Sequence, residues 1–262
     1  MSAAVGLYRP GGGWLHRLHP YPKLLLLAVA IVAPFALPAA ASAGIIAIGL
    51  VGGLTGGLGR PFLWRAIVGS LPVVVPIVLI NGFFFPGADD VLVALGPLRL
   101  TSEGLAFGLP IASRFLAAFV AVVAFATATR PDDLMAALVE RGVDRGLAFV
   151  VLSALQAIPR LTARAHRIAD AQRARGLDTG GSIVGRARGL LPLLGPLVVA
   201  SLIDVRDRTL ALEARAFSAP GPRTAYRTLV MRPIDTTVAR LALLLLVGLA
   251  VIAGLRIGGW LP

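Results

Sequence analysis

The chain has 262 residues, 57% of them hydrophobic, with a mean hydropathy of +0.84 and a formal net charge of +12. Soluble domains hold about 45–50% apolar residues, so this composition excludes an ordinary soluble fold and points to a helical integral membrane protein. The absence of cysteine excludes disulfides, thiol catalysis and Cys-ligated zinc or iron–sulfur sites.

The excess of basic residues needs no nucleic acid, because cytosolic loops of membrane proteins collect Lys and Arg. No stacking aromatics are interleaved with the arginines, and the expected partner of this chain is the lipid bilayer. His16 and His19 lie close together, but no acidic residue accompanies them, so neither a metal site nor a cofactor is expected. Lys23 is the only lysine. A Walker A loop ends Gly-Lys-Ser/Thr so that its lysine reaches the phosphates. The chain has no such loop and is not expected to be an enzyme.

Three basic residues, Arg9, Arg17 and Lys23, precede the first apolar run, which predicts an uncleaved first span and a cytosolic N-terminus. Span one is expected at about 24–41, kinked or ended by Pro34 and Pro38. Span two, about 44–58, carries Gly49, Gly53 and Gly57, one small residue every fourth position. That spacing predicts one glycine face for close helix approach, used either within this protein or to pack another membrane subunit. Arg60 and Arg65 mark a short cytosolic turn before span three at about 66–85, which contains Pro72 and Pro76. The loop 86–103 holds Asp89, Asp90 and Glu103 against Arg99, reads as external, and includes a candidate hairpin in LVALGPLRL. Span four is expected at 104–129. Arg114 lies within it and has to face protein or snorkel.

From 130 to 232 charge becomes dense. Two apolar runs there, 149–158 and 190–203 (the second broken by Pro192 and Pro196), read as too short to span. Counting both as spans would place seven arginines between 160 and 188 outside the cell, so this region is expected to be cytosolic. The last span is expected at about 237–255, which puts the C-terminus outside. The fold class is therefore an all-α integral membrane protein. It has about five transmembrane helices and a cytosolic-face domain of amphipathic helices, organised as 1–129, 130–232 and 233–262.

Two helices of that domain are legible. Ile158, Leu161, Ala165, Ile168 and Gln172 recur at helical steps, beside a basic stripe of Arg160, Arg164 and Arg167. Leu202, Val205, Thr209, Leu212 and Ala216 repeat the spacing, with Asp204 and Arg208 as an i,i+4 pair. The first helix closes on Ala174-Arg175-Gly176 and the second on Ala214-Arg215-Ala216. Gly176 suits a left-handed cap, and Pro220 and Pro222 are expected to stop the second helix. A cation at a helix C-terminus complements the helix dipole, but that alone does not produce the same Ala-Arg-small triplet twice.

The paired motifs, RARGL and EARAF followed by Arg223-Thr224, resemble those of the transmembrane T component of energy-coupling factor transporters, of CbiQ/EcfT type. The opening GLYRPGGGWLHRLHPYPKLLLL is similar to that family's, and the resemblance covers essentially the whole chain. It implies an ABC-type importer subunit in the cell membrane. Such a subunit joins two cytosolic ABC-type ATPase subunits to a separate substrate-binding membrane subunit for vitamins or cobalt and nickel ions. By that match Arg175 docks one ATPase and Arg215 the other. Ala216 stands where the first motif has glycine. The resemblance implies that this variation is tolerated there, at the expense of a less tight second contact or a less sharp helix end. The permease of a conventional ABC importer is a weaker match, because the Glu of its coupling loop is missing and Leu191-Pro192 lies too far from Gly176. An intramembrane enzyme is weaker still, because neither Asp89-Asp90 nor Asp132-Asp133 has an accompanying base or nucleophile.

Overall fold

The computed structural model describes residues 8–86, 90–95, 98–176, 183–217, 219, 221 and 229–257. Nine helices and one hairpin are present among them. In chain order these are α1 (Trp14–Arg17), α2 (Pro20–Ala36), α3 (Ala39–Thr55), α4 (Arg60–Phe84), β1 (Val91–Leu95), β2 (Leu98–Thr101), α5 (Ser102–Ala128), α6 (Pro131–Val139), α7 (Arg145–Ala174), α8 (Ile183–Ala214) and α9 (Pro233–Ile257). The expected hairpin forms: β1 and β2 are antiparallel, with Ala94 opposite Arg99 and Leu95 opposite Leu98.

Five apolar helices, α2, α3, α4, α5 and α9, overlap the five expected spans. However, α2 and α3 begin about four to five residues earlier than expected, and Arg60 and Arg65 lie in the first two turns of α4 rather than in a turn before it. The α4 and α5 helices lie alongside each other, α5 also packs on α2 and α3, and α9 packs on α2. With 17 residues each, α2 and α3 reach about 26 Å, the short end of what crosses a ~30 Å hydrocarbon core. Small residues fill the interior: Ala112 and Ala117 are buried, Ala66 and Ala128 pack with Phe62 and Val120, and Ala33 and Ala36 pack separately with Leu249 of α9. Large apolar side chains face outward instead, with Ile48 at 74%, Trp64 at 71% and Leu244 at 68% exposure. Close helix approach through small residues, with an apolar exterior, is how a bundle packs where lipid rather than water is the solvent.

The glycine face turns inward. A Cβ on Gly49 would lie 2.9 Å from Val120 Cγ1, and one on Gly53 would run into the Phe62 ring. Gly57 is not on the helix. The α3 helix ends at Thr55, and Gly57 and Gly59 take φ of +86° and +70° in the turn that follows. Gly57 there approaches the Gly13 backbone. The glycine-rich run ends the helix because its residues accept left-handed backbone at no steric cost.

Contacts divide the chain into two compact units, one built on α7 and α8 and the other on the remaining elements. The α6 helix packs on α2 and clusters with the apolar helices, so the division falls at Asp144. Two expectations for the second unit change. The apolar run 149–158 belongs to one 30-residue helix, α7, which continues through Pro159. By length and composition α7 joins α4, α5 and α9 as a helix able to cross a membrane. The run at 190–203 is not broken by its prolines either, since α8 continues from Ile183 to Ala214 through both positions.

Candidate functional site

The α7 helix begins at a side-chain cap, the Asp144 carboxylate accepting a hydrogen bond from Leu147 N at 2.9 Å. Its basic stripe is then put to a specific use. Arg164 Nη1 donates to the Ala200 carbonyl at 3.0 Å and lies 2.8 Å from Asp204 Oδ2, while Nη2 donates to Asp204 Oδ1 at 3.0 Å. This two-pronged bond joins α7 to α8, and it holds the Asp204 carboxyl below its ordinary range. Asp204 therefore pairs across the two helices with Arg164, not along its own helix with Arg208. An aligned guanidinium fork outcompetes an i,i+4 contact between flexible exposed chains.

Further along, Phe149 of α7 meets Phe217 just beyond α8, their ring centroids 4.9 Å apart. Residue 149 thus lies near 217, and residue 164 near 200 and 204, so the two helices run antiparallel. Arg175 lies 11 residues beyond Arg164, and Arg215 lies 11 residues beyond Asp204. The two motif arginines therefore sit at opposite ends of a braced pair. Each is three turns from the brace, which puts them roughly 30 Å apart.

The helix ends are built alike. Arg175 occupies the last half-helical position of α7 (φ −90°), and Gly176 follows in the left-handed conformation at φ +88°. Gly176 N donates to the Arg173 carbonyl at 3.0 Å. On α8, Ala216 takes φ +53°, and no other non-glycine residue among those described has a positive φ. Ala216 N donates to Glu213 O at 2.9 Å and Phe217 N donates to Leu212 O at 3.0 Å. These are the two bonds of a complete Schellman cap. The alanine thus does not blunt the second helix end. It adopts the glycine-like conformation, and the helix stops at Ala214, before Pro220 and Pro222, which lie outside the described residues.

Both triplets consequently present Ala at the last helical position, Arg at the cap and a small left-handed residue after it. Ala174, Arg175, Gly176, Ala214, Arg215 and Ala216 are all exposed. Among the described residues the ion pairs are Arg130–Asp132, Arg164–Asp204 and Arg173–Asp170, and none takes up Arg175 or Arg215. Two free guanidinium groups on rigid, capped tips can each enter an acidic groove of a partner and bind a carboxylate through two bonds.

A second constellation escaped sequence reasoning. Asp235, at the start of α9 and almost wholly buried, accepts from His19 N at 3.0 Å and from Arg232 N at 2.8 Å. Lys23 Nζ, also buried, donates to the Ala128 carbonyl at the end of α5 at 3.2 Å. Arg141 stacks 3.5 Å over the Tyr21 ring, and its Nη2 lies 3.3 Å from Met231 Sδ. Burial lowers the His19 pKa, against the opposing pull of Asp235 and Glu140. These groups tie the head of α2 to the ends of α5, α6 and α9. The available signal was that Lys23 is the sole lysine and Asp235 the only carboxylate side chain after Glu213.

The family model for cobalt transport protein (CbiQ) matches residues 11–226, which include both arginine motifs. The energy-coupling factor transporter transmembrane protein EcfT of Listeria innocua is 33% identical over 96% of this chain and 96% of its own length. Its namesakes from Thermosediminibacter oceani and Bacillus subtilis are 29% and 28% identical, over 88% and 90% of this chain and 90% and 93% of theirs. With both the family match and the 33% relative spanning most of its length, the chain belongs to the cobalt transport protein (CbiQ) family, alongside the EcfT transmembrane proteins.

Proposed function

We propose that this chain is the non-catalytic transmembrane coupling subunit of an energy-coupling factor importer of the cell membrane. It joins two cytosolic ABC-type ATPases to a separate substrate-binding membrane subunit, with a vitamin or a transition-metal ion as cargo. The observation that carries the reading is the equivalence of the two tips. The same Ala-Arg-small triplet holds the same cap geometry at both ends of the α7–α8 pair. Dipole compensation explains one cationic helix end, whereas two matched and unpaired ones at opposite ends suit two similar partners. The relatives' names support the transporter assignment. The positive-inside argument supports a cytosolic N-terminus and a cytosolic position for α7 and α8, despite the apolar start of α7. The Gly49–Gly53 face is occupied by this chain's own Val120 and Phe62, so it is left out of the proposed subunit interface.

The test is recovery of the ATPases on the affinity-purified chain. Arg175→Glu combined with Arg215→Glu places like charges in a poorly solvated groove. Truncating one member of such a charge pair already costs about 2–5 kcal/mol, so the double variant should shed both ATPases while still inserting. Arg167→Glu is the control, an exposed arginine of the same helix outside both the motif and the brace. Full recovery with the double variant, or equal loss with the control, refutes docking at the motifs.

A further inference from the structure

Arg114 is the one charged residue in the middle of a membrane helix of the apolar bundle. It stands 12 residues after Ser102 and 14 before Ala128 in α5, so about 18 and 21 Å from the helix ends. That is further than an arginine side chain extends, so its charge stays short of both helix ends. The other charges on these helices lie within two turns of an end: Lys23 on α2, Arg60 and Arg65 on α4, Glu103 on α5, and Asp235, Arg240 and Arg256 on α9. No carboxylate thus occurs at the depth of Arg114 on α2, α3, α4, α5 or α9. Among the described residues no ion pair or hydrogen bond engages its guanidinium, and its Nε is buried without a partner. The side chain is only half-buried, and beside it on α5 Phe107, Phe115 and Val122 keep 53%, 44% and 41% exposure, although the Phe115 ring meets Phe35 of α2 edge-on and the Phe107 ring meets Phe85.

A cation at the bilayer centre costs several kcal/mol even by the most lenient scales. Such a residue persists where a counter-charge meets it. We propose that Arg114 is an intramembrane contact for a carboxylate on a transmembrane helix of the substrate-binding membrane subunit, seated on the Phe107–Phe115–Val122 face of α5. Charge complementarity selects this occupant. The bundle offers a fixed cation and no acid at that depth, and a guanidinium fork matches an Asp or Glu carboxylate through two parallel bonds. The contact orients the partner helix by a single point of depth and direction in an otherwise apolar interface. The proposal rests on the coupling-subunit reading and adds to it a residue-level address for the third partner.

The experiment uses the complex of this chain with its two ATPases and the small membrane subunit. Phe115→p-benzoylphenylalanine, with Arg114 intact, is photolysed in that complex, and the adduct is mapped to a peptide. The expected adduct is a transmembrane segment of the small membrane subunit, within two turns of an Asp or Glu. Arg114→Leu should lower recovery of that subunit at least about tenfold, as expected for truncating one member of a desolvated charge pair, with ATPase recovery unchanged. Removing a charge from the bilayer makes insertion easier, so loss of folding does not obscure the result. Arg114→Asp combined with Arg at the mapped carboxylate should restore recovery. Adducts only with lipid or with this chain's own helices, a mapped segment without a carboxylate, or full recovery with Arg114→Leu would each overturn the proposal. Absence of the ATPases from the wild-type preparation would instead overturn the coupling reading, whatever the adduct.

Discussion

Ala216 offers a sharp test of how the second tip is built. An L-residue in left-handed backbone costs about 1–2 kcal/mol, and Ala216 sits there at φ +53°. Ala216→Gly removes that cost and turns the second triplet into the first. Glycine loses about 0.5–1 kcal/mol more on ordering than alanine. The net gain is therefore about 0.5–1 kcal/mol, a two- to fivefold slowing of local opening. The amides that report it are those of Ala216 and Phe217, which close the cap on Glu213 and Leu212. Hydrogen exchange of the lipid-reconstituted protein, read at those amides, should slow by that factor. Gly176→Ala should speed opening at the α7 tip, because φ +88° is less accessible still to an alanine. Unchanged or faster exchange in Ala216→Gly would show that the left-handed cap does not limit the stability of this end.

Gly53→Ala should destabilise the bundle by about 1–3 kcal/mol, because Phe62 is fully buried and has no room to move from an added methyl; an unchanged thermal unfolding midpoint in detergent would contradict the packing. Arg164→Asp and Asp204→Arg should each impair ATP-driven uptake, and the two together should restore it by rebuilding the brace in reverse; failure of rescue would place Arg164 outside the brace. His19 is held neutral below its ordinary pKa of 6.5 by burial. As pH falls below about 6.5 the unfolded chain takes up a proton there before the folded one, so stability above that pH is lost progressively on acidification. His19→Asn keeps a side-chain cap for α2 and should flatten the slope of melting temperature between pH 7.5 and 5.5, and an unaltered slope would assign the acid sensitivity elsewhere.

The positions of the five apolar helices were legible because a bilayer imposes length and apolarity at once. Their interruptions were less so. Pro34, Pro72, Pro76, Pro110 and Pro159 all lie inside helices. Proline is tolerated in membrane helices because neighbouring groups satisfy the carbonyls it frees. The Arg-motif positions could be read as a recurrence, but not the cap of the second, since alanine rarely adopts left-handed backbone and no spacing rule announces it. The bond between His19 and Asp235 joins residues 216 positions apart, and the partner of Arg164 lies on another helix. Periodicity along one helix carries no information on what an antiparallel neighbour places opposite. Arg114 was visible as an anomaly, but the absence of a counter-charge around it emerges only once the bundle is assembled.

The central claim is that the two tips hold one ATPase each. The chain lacks cysteine, so Ala174→Cys and Ala214→Cys, exposed residues adjoining each motif arginine, can carry a short cross-linker without background. The measurement is the identity and stoichiometry of adducts in the assembled complex. The account predicts that each position captures an ATPase, that the doubly substituted chain captures two, and that adding Arg175→Glu abolishes capture at 174 alone. Capture of no ATPase at either position, or of a single ATPase spanning both, would contradict it.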